Sequence, residues 1–274
     1  MALKVFGLLS DHRAFNSKSP AMHNAVLRRC GLEGVYLPFR VEPVFLDEAV
    51  AGLRALGLAG ANVTVPYKEA VLPFLDGLAP EAEAIGAVNT IVIEAGELIG
   101  HNTDAAGFLE ALTGVGFEPA GASAVVLGAG GAAKAVAWAL VQAGAGRVVM
   151  AGRDPDRTAA TARRLGVHPA DLASCLDGIL KTDLLVNATS VSGPAEDPDL
   201  ARRIEGTRLS GCRLVFDLNY GREPNMWRDL AAANRTAFED GLFMLAHQAR
   251  LAFRLWTGLD VEAREFAAAL RDEP

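Results

Sequence analysis

The most specific chemical pattern in the chain is a glycine-rich turn, Gly128-Ala129-Gly130-Gly131-Ala132-Ala133. Its order, G-x-G-x-x-A, stands directly after a short apolar run and directly before an amphipathic helical pattern. Gly128 permits a tight turn, Gly130 lets the backbone approach a pyrophosphate, and Ala133 permits close packing of helix on strand. The helix N-terminus presents unpaired N–H groups and a positive dipole end to phosphates. The pattern predicts dinucleotide binding, with a purely structural turn as the alternative.

Two arginines follow the next predicted strand, where such folds select their cofactor. Arg153 and Arg157 could clamp the 2′-phosphate of NADP, whereas an acidic residue there would bind the free ribose hydroxyls of NAD. Asp154 lies between them and is either that acidic residue or the N-cap of a helix that begins with Pro155. The residues favour NADP and keep NAD as the alternative.

Polar clusters interrupt the apolar runs of the first half at the predicted strand ends. They are Asn16-Ser17-Lys18-Ser19-Pro20, Asn62-Val63-Thr64-Val65-Pro66-Tyr67-Lys68, Gly86-Ala87-Val88-Asn89-Thr90 and Asn102-Thr103-Asp104. Because ligands bind outside the carboxyl ends of parallel strands, we expect these clusters to converge on one cleft. Their hydroxyls, amides, ammonium and carboxylate suit a small polyhydroxylated acid. For each residue alone, a role as helix cap, backbone partner or solvated side chain is an equal or stronger alternative.

The elements that must position these residues alternate between strand and helix patterns. In the first half they are strands 4–9, 34–39, 60–65 and 90–94 and helices 19–30, 46–56 and 81–85. In the second half they are strands 124–127, 147–151, 184–187 and 214–218 and helices 131–142, 155–165, 225–233 and 242–256. This alternation predicts an α/β fold with largely parallel sheets, and residues 107–121 read as a helix and a domain connection. Helix 242–256 is apolar nearly all round and is expected to be buried.

Composition limits the classes of protein that fit. The chain has 274 residues, 51% of them hydrophobic, which disfavours a disordered or fibrous protein and favours two domains or a large barrel. A net charge of −7 disfavours nucleic acid as a partner. The three cysteines fit neither a disulfide framework nor a metal site, which favours a reducing cytoplasm. Apolar stretches are too short for a membrane span, and no signal peptide is evident, so we expect a soluble, unprocessed chain.

Taken together in order, the motifs resemble the shikimate dehydrogenase family, which includes shikimate/quinate dehydrogenases. The matching segments run through nearly the whole chain. They are Ser17-Lys18-Ser19-Pro20-Ala21-Met22-His23-Asn24, Asn62-Val63-Thr64-Val65-Pro66-Tyr67-Lys68, Ile85-Gly86-Ala87-Val88-Asn89-Thr90, Asn102-Thr103-Asp104-Ala105-Ala106-Gly107-Phe108, Gly128-Ala129-Gly130-Gly131-Ala132-Ala133, Asn187-Ala188-Thr189-Ser190 and Gly241-Leu242-Phe243-Met244-Leu245-Ala246-His247-Gln248-Ala249.

The resemblance implies an N-terminal α/β substrate-binding domain, a Rossmann domain for NADP, and C-terminal helices that return to the first domain. We expect residues 1–105 and 240–274 to form the substrate-binding, catalytic domain and residues 106–239 the NADP-binding domain. The implied activity is the reversible NADP-linked reduction of 3-dehydroshikimate to shikimate, in the chorismate route to aromatic amino acids. The implied partner is a small cyclic hydroxy acid of the shikimate or quinate type, with no metal, no nucleic acid and no membrane. The oligomeric state is expected to be monomer or homodimer.

The resemblance also assigns roles residue by residue. Lys68 and Asp104 would be the catalytic pair. The proton transfer is assigned to the two residues together, and which of them is the base is left open. Substrate binding would involve Ser17, Ser19, Asn62, Thr64, Asn89, Tyr220 and Gln248. Cofactor binding would involve Gly128, Ala129, Gly130, Gly131, Ala132, Ala133, Arg153, Arg157, Thr189, Ser190, Gly241 and Met244.

Three segments depart from the family pattern on the cofactor side. They are Gly152-Arg153-Asp154 in place of Asn-Arg-Thr, Val191-Ser192-Gly193 in place of Gly-Met, and Gly221-Arg222-Glu223-Pro224-Asn225 in place of the usual Pro and Thr pattern. These departures leave open a paralogue that uses NAD or NADP on quinate or another cyclic polyol acid. A non-catalytic sensor of a pathway metabolite is the alternative from a different class, although it would be expected to lack Lys68 or Asp104.

Overall fold

The computed structural model describes residues 3–270, which form two units. One unit comprises residues 3–107 and 245–270, and the other comprises Phe108–Met244. The boundaries between the two units fall at 107/108 and 244/245. The predicted domain boundaries are 105/106 and 239/240.

The first unit is built on a six-stranded sheet with the order β2-β1-β3-β5-β6-β4. Its strands are β1 (Lys4–Ser10), β2 (Gly34–Arg40), β3 (Gly60–Val63), β4 (Gly77–Leu78), β5 (Thr90–Glu94) and β6 (Glu97–His101). Strand β1 pairs in parallel with β2 and β3, whereas β5 runs antiparallel to both β3 and β6. This sheet is therefore mixed, whereas the alternation of strands and helices in the sequence predicts a largely parallel sheet.

A two-residue turn explains why β5 and β6 are antiparallel. Ala95 and Gly96 both have positive φ, 50° and 86°, which is the type I′ geometry of tight hairpins. Two residues can join antiparallel strands, but parallel neighbours need a crossover of a dozen residues or more. The Gly96 turn is visible in the sequence, whereas β6 was not predicted.

Four helices begin in the first unit. They are α1 (Ser19–Arg29), α2 (Leu46–Ala55), α3 (Pro80–Ile85) and α4 (Asp104–Gly114). The first three agree with the predicted ranges to within one residue at each end. Helix α4 begins at Asp104, three residues before the predicted start at position 107, and this earlier start places Asp104 in its first turn.

The second unit contains a six-stranded, fully parallel sheet. Its strands are β7 (Ser123–Leu127), β8 (Arg147–Gly152), β9 (His168–Asp171), β11 (Leu184–Asn187), β13 (Leu214–Asp217) and β14 (Ala237–Asp240). A separate two-stranded sheet consists of β10 (Ile179–Lys181) and β12 (Arg208–Ser210). The large sheet has the order β14-β13-β11-β7-β8-β9, and β10 pairs only with β12. Numbered within the large sheet, this is the order 3-2-1-4-5-6 read from β9, which confirms the predicted Rossmann fold.

Five helices cover this second sheet and connect its strands. They are α5 (Gly131–Gln142), α6 (Pro155–Leu165), α7 (Leu172–Leu176), α8 (Pro198–Gly206) and α9 (Met226–Ala233). Helices α5 and α6 have the predicted bounds. Four short strands, β9, β10, β12 and β14, and helices α7 and α8 were not predicted.

The chain ends in α10 (Leu242–Thr257) and α11 (Ala263–Ala269). In the first unit, a buried aromatic cluster joins residues of α10 and α11 to α1 and β2, and it contains His23, Tyr36, Phe253, Trp256 and Phe266. The prediction that α10 is buried holds for one face of the helix. Phe243 and Leu255 are both 41% exposed, whereas the buried face carries Ala246, Ala249, Ala252, Phe253 and Trp256. Within residues 3–270, no helix has the length and hydropathy that a membrane span requires.

Candidate active site

The ends of β1 and β3 bring two polar segments to one edge of the first sheet. The two strands are parallel, with Leu9 beside Val63, so the residues that follow them leave the sheet at the same edge. The Ser10 hydroxyl donates a hydrogen bond of 2.6 Å to the Val65 carbonyl and ties the two segments together. Ser17 and Ser19 follow β1, and the segment that leads to Lys68 follows β3.

Strands β5 and β6 bring the other two polar segments to the same edge. Asn62 on β3 lies opposite Thr90 on β5, and Thr90 lies opposite His101 on β6. Because β5 is antiparallel to both neighbours, its amino end and the carboxyl end of β6 meet here. Asn89 therefore precedes its strand instead of following it, contrary to the expectation that every cluster would follow a strand. The clusters of Lys68, Asn89 and Asp104 therefore meet for this different reason.

Lys68 and Asp104 form an ion pair at this edge. Lys68 Nζ donates to Asp104 Oδ2 at 2.6 Å, and the two side chains are 16% and 6% exposed. Within residues 3–270, Lys68 Nζ makes no other hydrogen bond to a protein group, so two ammonium protons remain available. The neighbouring Tyr67 hydroxyl is buried and donates to the Val41 carbonyl at 2.5 Å. Burial raises the pKa of Tyr67, so its hydroxyl stays protonated and takes no part in the ion pair.

Asn102, not Asp104, provides the side-chain cap of helix α4. The Asn102 Oδ1 accepts hydrogen bonds from the backbone N–H groups of Asp104 and Ala105, at 3.1 and 3.3 Å. The Asp104 carboxylate lies in the first turn, where the helix dipole stabilises negative charge. Because the cap is supplied by another residue, both Asp104 oxygens are available to side chains of the site.

The Asn89 carboxamide connects this ion pair to helix α10. Its Nδ2 donates to Asp104 Oδ1 at 2.9 Å and to Gln248 Oε1 at 3.3 Å. Gln248 is anchored in turn, because its Nε2 donates to the Leu245 carbonyl at 2.8 Å. Lys68, Asp104, Asn89 and Gln248 are thus joined by direct hydrogen bonds.

Asn62 lies beneath this group and is occupied by protein partners. Its Nδ2 donates to the Asn89 carbonyl and to Thr90 Oγ1, both at 3.0 Å. Its Oδ1 accepts from the Tyr36 hydroxyl at 2.8 Å. Both amide protons of Asn62 are therefore used within the protein, and Asn62 is only 5% exposed.

Ser17 and Ser19 follow β1 and Thr64 directly follows β3, and none of the three joins the hydrogen-bonded group. Ser17 Oγ accepts from the Ser19 backbone N–H at 3.2 Å, as expected of a residue near the start of α1. In the part of the chain that the structure describes, the hydroxyls of Ser19 and Thr64 make no hydrogen bond to a protein group. Two donor and acceptor groups thus remain for a ligand at this edge.

In the second unit, the glycine-rich turn has the predicted form. Gly128 follows β7 with a φ of 115°, and a side chain there would lie 3.0 Å from the Ala188 carbonyl oxygen. Gly130 is the N-cap of α5, and a Cβ at this position would meet no atom within 4 Å. Ala133 is fully buried, consistent with close helix packing. The turn therefore exposes backbone at the start of α5, which fits the pyrophosphate of a dinucleotide.

Asp154 is the N-cap of α6. Of the two roles that the sequence leaves open for this residue, the structure therefore shows the helix cap. Its Oδ1 accepts from the Arg157 backbone N–H at 3.0 Å, and Pro155 is the first helical residue. Arg153 and the Arg157 side chain are both exposed beside this cap. The Asp154 carboxylate is therefore engaged by its own helix.

A buried carboxylate that the sequence analysis missed organises the loops after β11 and β13. Asp217 is fully buried and accepts hydrogen bonds from the side chains of Asn187, Ser192, Asn219 and Asn225, at 2.6–3.0 Å. Ser192 and Asn225 lie in two of the segments that depart from the family pattern.

The predicted nicotinamide-side residues lie on these loops and near the start of α10. The Thr189 carbonyl accepts from Asn219 Nδ2 at 2.9 Å, and Ser190 follows as an exposed residue. Tyr220, directly after Asn219, is half-buried. A side chain at Gly241 would overlap the Leu218 carbonyl, so this position requires glycine. Met244 is buried in α10.

Among residues 3–270, no group of three or more His, Cys, Asp or Glu side chains is arranged to hold a metal ion. The second unit carries the sheet order and the turn of a dinucleotide-binding domain, and the first carries a lysine–aspartate pair suited to proton transfer. Together they define an NAD(P)-dependent dehydrogenase of two domains.

Comparison with known proteins narrows this class. Three family profiles match: a shikimate dehydrogenase substrate binding domain over residues 12–91, a shikimate / quinate 5-dehydrogenase over 112–231, and a shikimate 5′-dehydrogenase C-terminal domain over 241–271. Shikimate dehydrogenase (NADP⁺) of Moorella thermoacetica is 43% identical over 279 residues, which cover 96% of this chain and 92% of the relative. The chain belongs to the shikimate dehydrogenase family.

Solved structures agree with this family membership. The shikimate dehydrogenase of Aquifex aeolicus is 33% identical and superposes with a TM-score of 0.87, covering 98% of both chains. The shikimate 5-dehydrogenase of Thermus thermophilus, solved with NADP(H) and shikimate, is 39% identical with a TM-score of 0.85 and the same coverage.

Proposed function

We propose that this protein is a shikimate dehydrogenase that catalyses the reversible NADP-linked reduction of 3-dehydroshikimate to shikimate. The observation that carries the proposal is the 2.6 Å contact between Lys68 Nζ and Asp104 Oδ2, with Asn89 and Gln248 hydrogen-bonded beside it. A secondary alcohol or its ketone needs a proton donor and acceptor within about 2.6–3.2 Å of the oxygen. The relatives named above as NADP-dependent shikimate dehydrogenases support the same reaction.

The second unit fits the cofactor that this reaction needs. Gly128–Ala133 would hold the pyrophosphate, because the N-cap Gly130 leaves the first N–H groups of α5 without a capping side chain. Arg153 and Arg157 would bind the 2′-phosphate, and Thr189, Ser190, Gly241 and Met244 would line the nicotinamide. When bound, the nicotinamide supplies or accepts the hydride.

In this proposal the first unit moves the proton. Lys68 keeps two ammonium protons that no protein group takes up within residues 3–270, so it can donate to the substrate oxygen and stabilise an alkoxide. Asp104 stabilises the ammonium and shares the proton with it. We assign proton transfer to the pair, in the direction of the oxygen during reduction and away from it during oxidation.

The other polar groups of the same edge would orient the substrate. The Ser19 and Thr64 hydroxyls and the Ser17 hydroxyl would bind its carboxylate and hydroxyl groups, together with Asn89 and Gln248. Asn62 would contribute by holding Asn89, since its amide protons are already donated. Tyr220, a residue of the second unit, is the remaining substrate-binding residue that the family resemblance implies.

A specific observation supports NADP over NAD. The Asp154 carboxylate accepts the Arg157 N–H as a helix cap, so it is engaged within its own helix, whereas Arg153 remains exposed. The alternative is a quinate/shikimate-type paralogue that uses NAD or NADP on a related cyclic polyol acid. A non-catalytic sensor of such an acid is less consistent with the chain, because Lys68 and Asp104 are both present and paired.

Steady-state rates with shikimate and with quinate, each with NADP⁺ and with NAD⁺, test the proposal. We expect the highest kcat/KM for shikimate with NADP⁺. A preference for quinate or for NAD⁺ would favour the paralogue, and a ligand-induced rise in Tm without turnover would favour the sensor. Cytoplasmic location and a monomeric or homodimeric state stay predictions, which fractionation and sedimentation would test.

A further inference from the structure

A line of buried hydrogen bonds leads from the sheet interior to the ion pair. The Tyr36 hydroxyl donates to Asn62 Oδ1 at 2.8 Å, and Asn62 Nδ2 donates to Thr90 Oγ1 at 3.0 Å. Thr90 Oγ1 donates to Asn89 Oδ1 at 3.0 Å, and Asn89 Nδ2 donates to Asp104 Oδ1 at 2.9 Å. All five residues are at most 5% exposed, so water does not compete for these bonds.

Backbone groups fix the direction in which these bonds run. The Asn89 carbonyl can only accept, so the Asn62 atom that faces it must be Nδ2, which leaves Oδ1 for the Tyr36 hydroxyl. The Thr103 backbone N–H can only donate, so the Asn89 atom that faces it at 2.8 Å must be Oδ1. Nδ2 of Asn89 is thereby directed at Asp104 Oδ1 and at Thr103 Oγ1, each at 2.9 Å. Every donor in the line points toward the carboxylate, and such chains polarise each bond in the same sense.

The first donor is itself held in place by packing. The Tyr36 ring stacks on His23 with a centroid distance of 4.4 Å and an interplanar angle of 3°. The Trp256 ring lies 6.3 Å from Tyr36 on the same cluster. Tyr36 therefore has little freedom to withdraw its hydroxyl from Asn62.

We propose that Tyr36 and Thr90 are positioning residues, which act through Asn62 and Asn89 to hold the Asp104 carboxylate against Lys68. The proposal rests on the proposed function and assigns a role in it to two residues that touch neither the ion pair nor the substrate. A carboxylate that can rotate away from Lys68 leaves the ammonium misplaced, so the loss falls on kcat more than on cofactor binding.

Tyr36→Phe and Thr90→Val remove one hydroxyl each with little change in volume. We expect either variant to lower kcat about threefold to tenfold, with the KM for NADP⁺ unchanged. The double variant should be no slower than the slower single variant, because both changes break the same line. Thr90→Ser restores the hydroxyl and should keep kcat within about twofold of the wild type.

Tyr67→Phe is the matched control, because it also removes a buried hydroxyl of the first unit, one that donates to the Val41 carbonyl. It should lower Tm by an amount similar to Tyr36→Phe while leaving kcat unchanged. Equal loss of kcat in the two tyrosine variants, independent effects in the double variant, or a Tyr36→Phe kcat within about twofold of wild type would each overturn the proposal.

A crystal structure of the Tyr36→Phe variant gives a readout that needs no turnover. We expect the Asn89 carboxamide to shift and the distance from Lys68 Nζ to Asp104 Oδ2 to exceed about 3.2 Å. An unchanged pair would overturn the positioning role even if the wild type reduces no 3-dehydroshikimate. Absence of turnover in the wild type would instead count against the proposed function alone.

Discussion

The ring of His23 lies flat against the ring of Tyr36, and neither of its nitrogens has a hydrogen-bond partner in the described chain. His23 is 1% exposed, and its other neighbours are the rings of Phe253, Trp256 and Phe266. Because burial disfavours the imidazolium, it lowers the pKa of His23 from 6.5 to about 3. The His23 ring that stacks on Tyr36 is therefore neutral, and its protonation would destabilise the folded first unit.

Acid should destabilise the wild type through His23. The unfolded chain binds a proton at this ring below about pH 6.5, whereas the folded chain binds it only near pH 3. In that window the unfolded state holds the extra proton, so the free energy of unfolding falls by up to about 1.4 kcal/mol per pH unit as the pH drops. Above pH 6.5 this loss is absent. Urea unfolding followed by tryptophan fluorescence between about pH 7 and pH 5 measures the slope.

His23→Leu isolates this effect, because leucine does not titrate. The difference in urea midpoint between His23→Leu and the wild type should move in favour of the variant as the pH falls. His12→Leu is the control, since the His12 side chain is 73% exposed, and it should keep the wild-type slope. A difference between His23→Leu and wild type that stays constant with pH would contradict the assignment.

Gly107→Ala should disturb the position of Gln248. A Cβ at Gly107 would lie 2.8 Å from the Gln248 backbone nitrogen and 2.9 Å from its Cβ, so α4 and α10 could not keep their present separation. We expect a loss of about 1–3 kcal/mol in the free energy of unfolding and a rise in the KM for shikimate. Gly114→Ala, on the same helix with no atom within 4 Å, should instead stabilise the protein by about 0.5–1 kcal/mol. Similar effects of the two substitutions would be inconsistent with the close approach.

Arg153→Ala should weaken NADP⁺ binding by about 10- to 100-fold and NAD⁺ binding much less, because only NADP⁺ carries the 2′-phosphate. Equilibrium titration with NADP⁺ and with NAD⁺, followed by tryptophan fluorescence, measures both affinities. Arg163→Ala is the control, since Arg163 is exposed in the last turn of the same helix α6, and it should change neither affinity. Equal losses for the two cofactors in Arg153→Ala would reject the 2′-phosphate role.

The sequence predicted the elements with strong periodicity and the motifs that lie at their ends. Helices α5 and α6 have the predicted bounds because each has a clear start signal, Gly130 before one and Asp154-Pro155 before the other. The direction of β5 relative to β3 could not be predicted, because local apolar alternation is the same in parallel and antiparallel strands. That direction nevertheless decides how Asn89 reaches Asp104.

The residues that sequence reasoning missed depend on distant partners. Tyr36 reads as one more apolar position of β2, and its partner Asn62 lies 26 positions further along the chain. Asp217 ends β13 as a polar residue, which was a usable signal, but its four side-chain partners are spread from Asn187 to Asn225. Only the folded arrangement shows that these groups satisfy one another.

We assign the proton transfer to the Lys68–Asp104 pair, and the Lys68→Ala variant is the sharpest test of this assignment. The measurement is kcat for shikimate oxidation together with the Kd of NADP⁺, with Lys181→Ala, an exposed lysine of β10, as the control. This assignment predicts a kcat lower by about 10²–10⁴-fold in Lys68→Ala, an unchanged Kd, and wild-type values in the control. Near-normal turnover of a folded Lys68→Ala variant would contradict it.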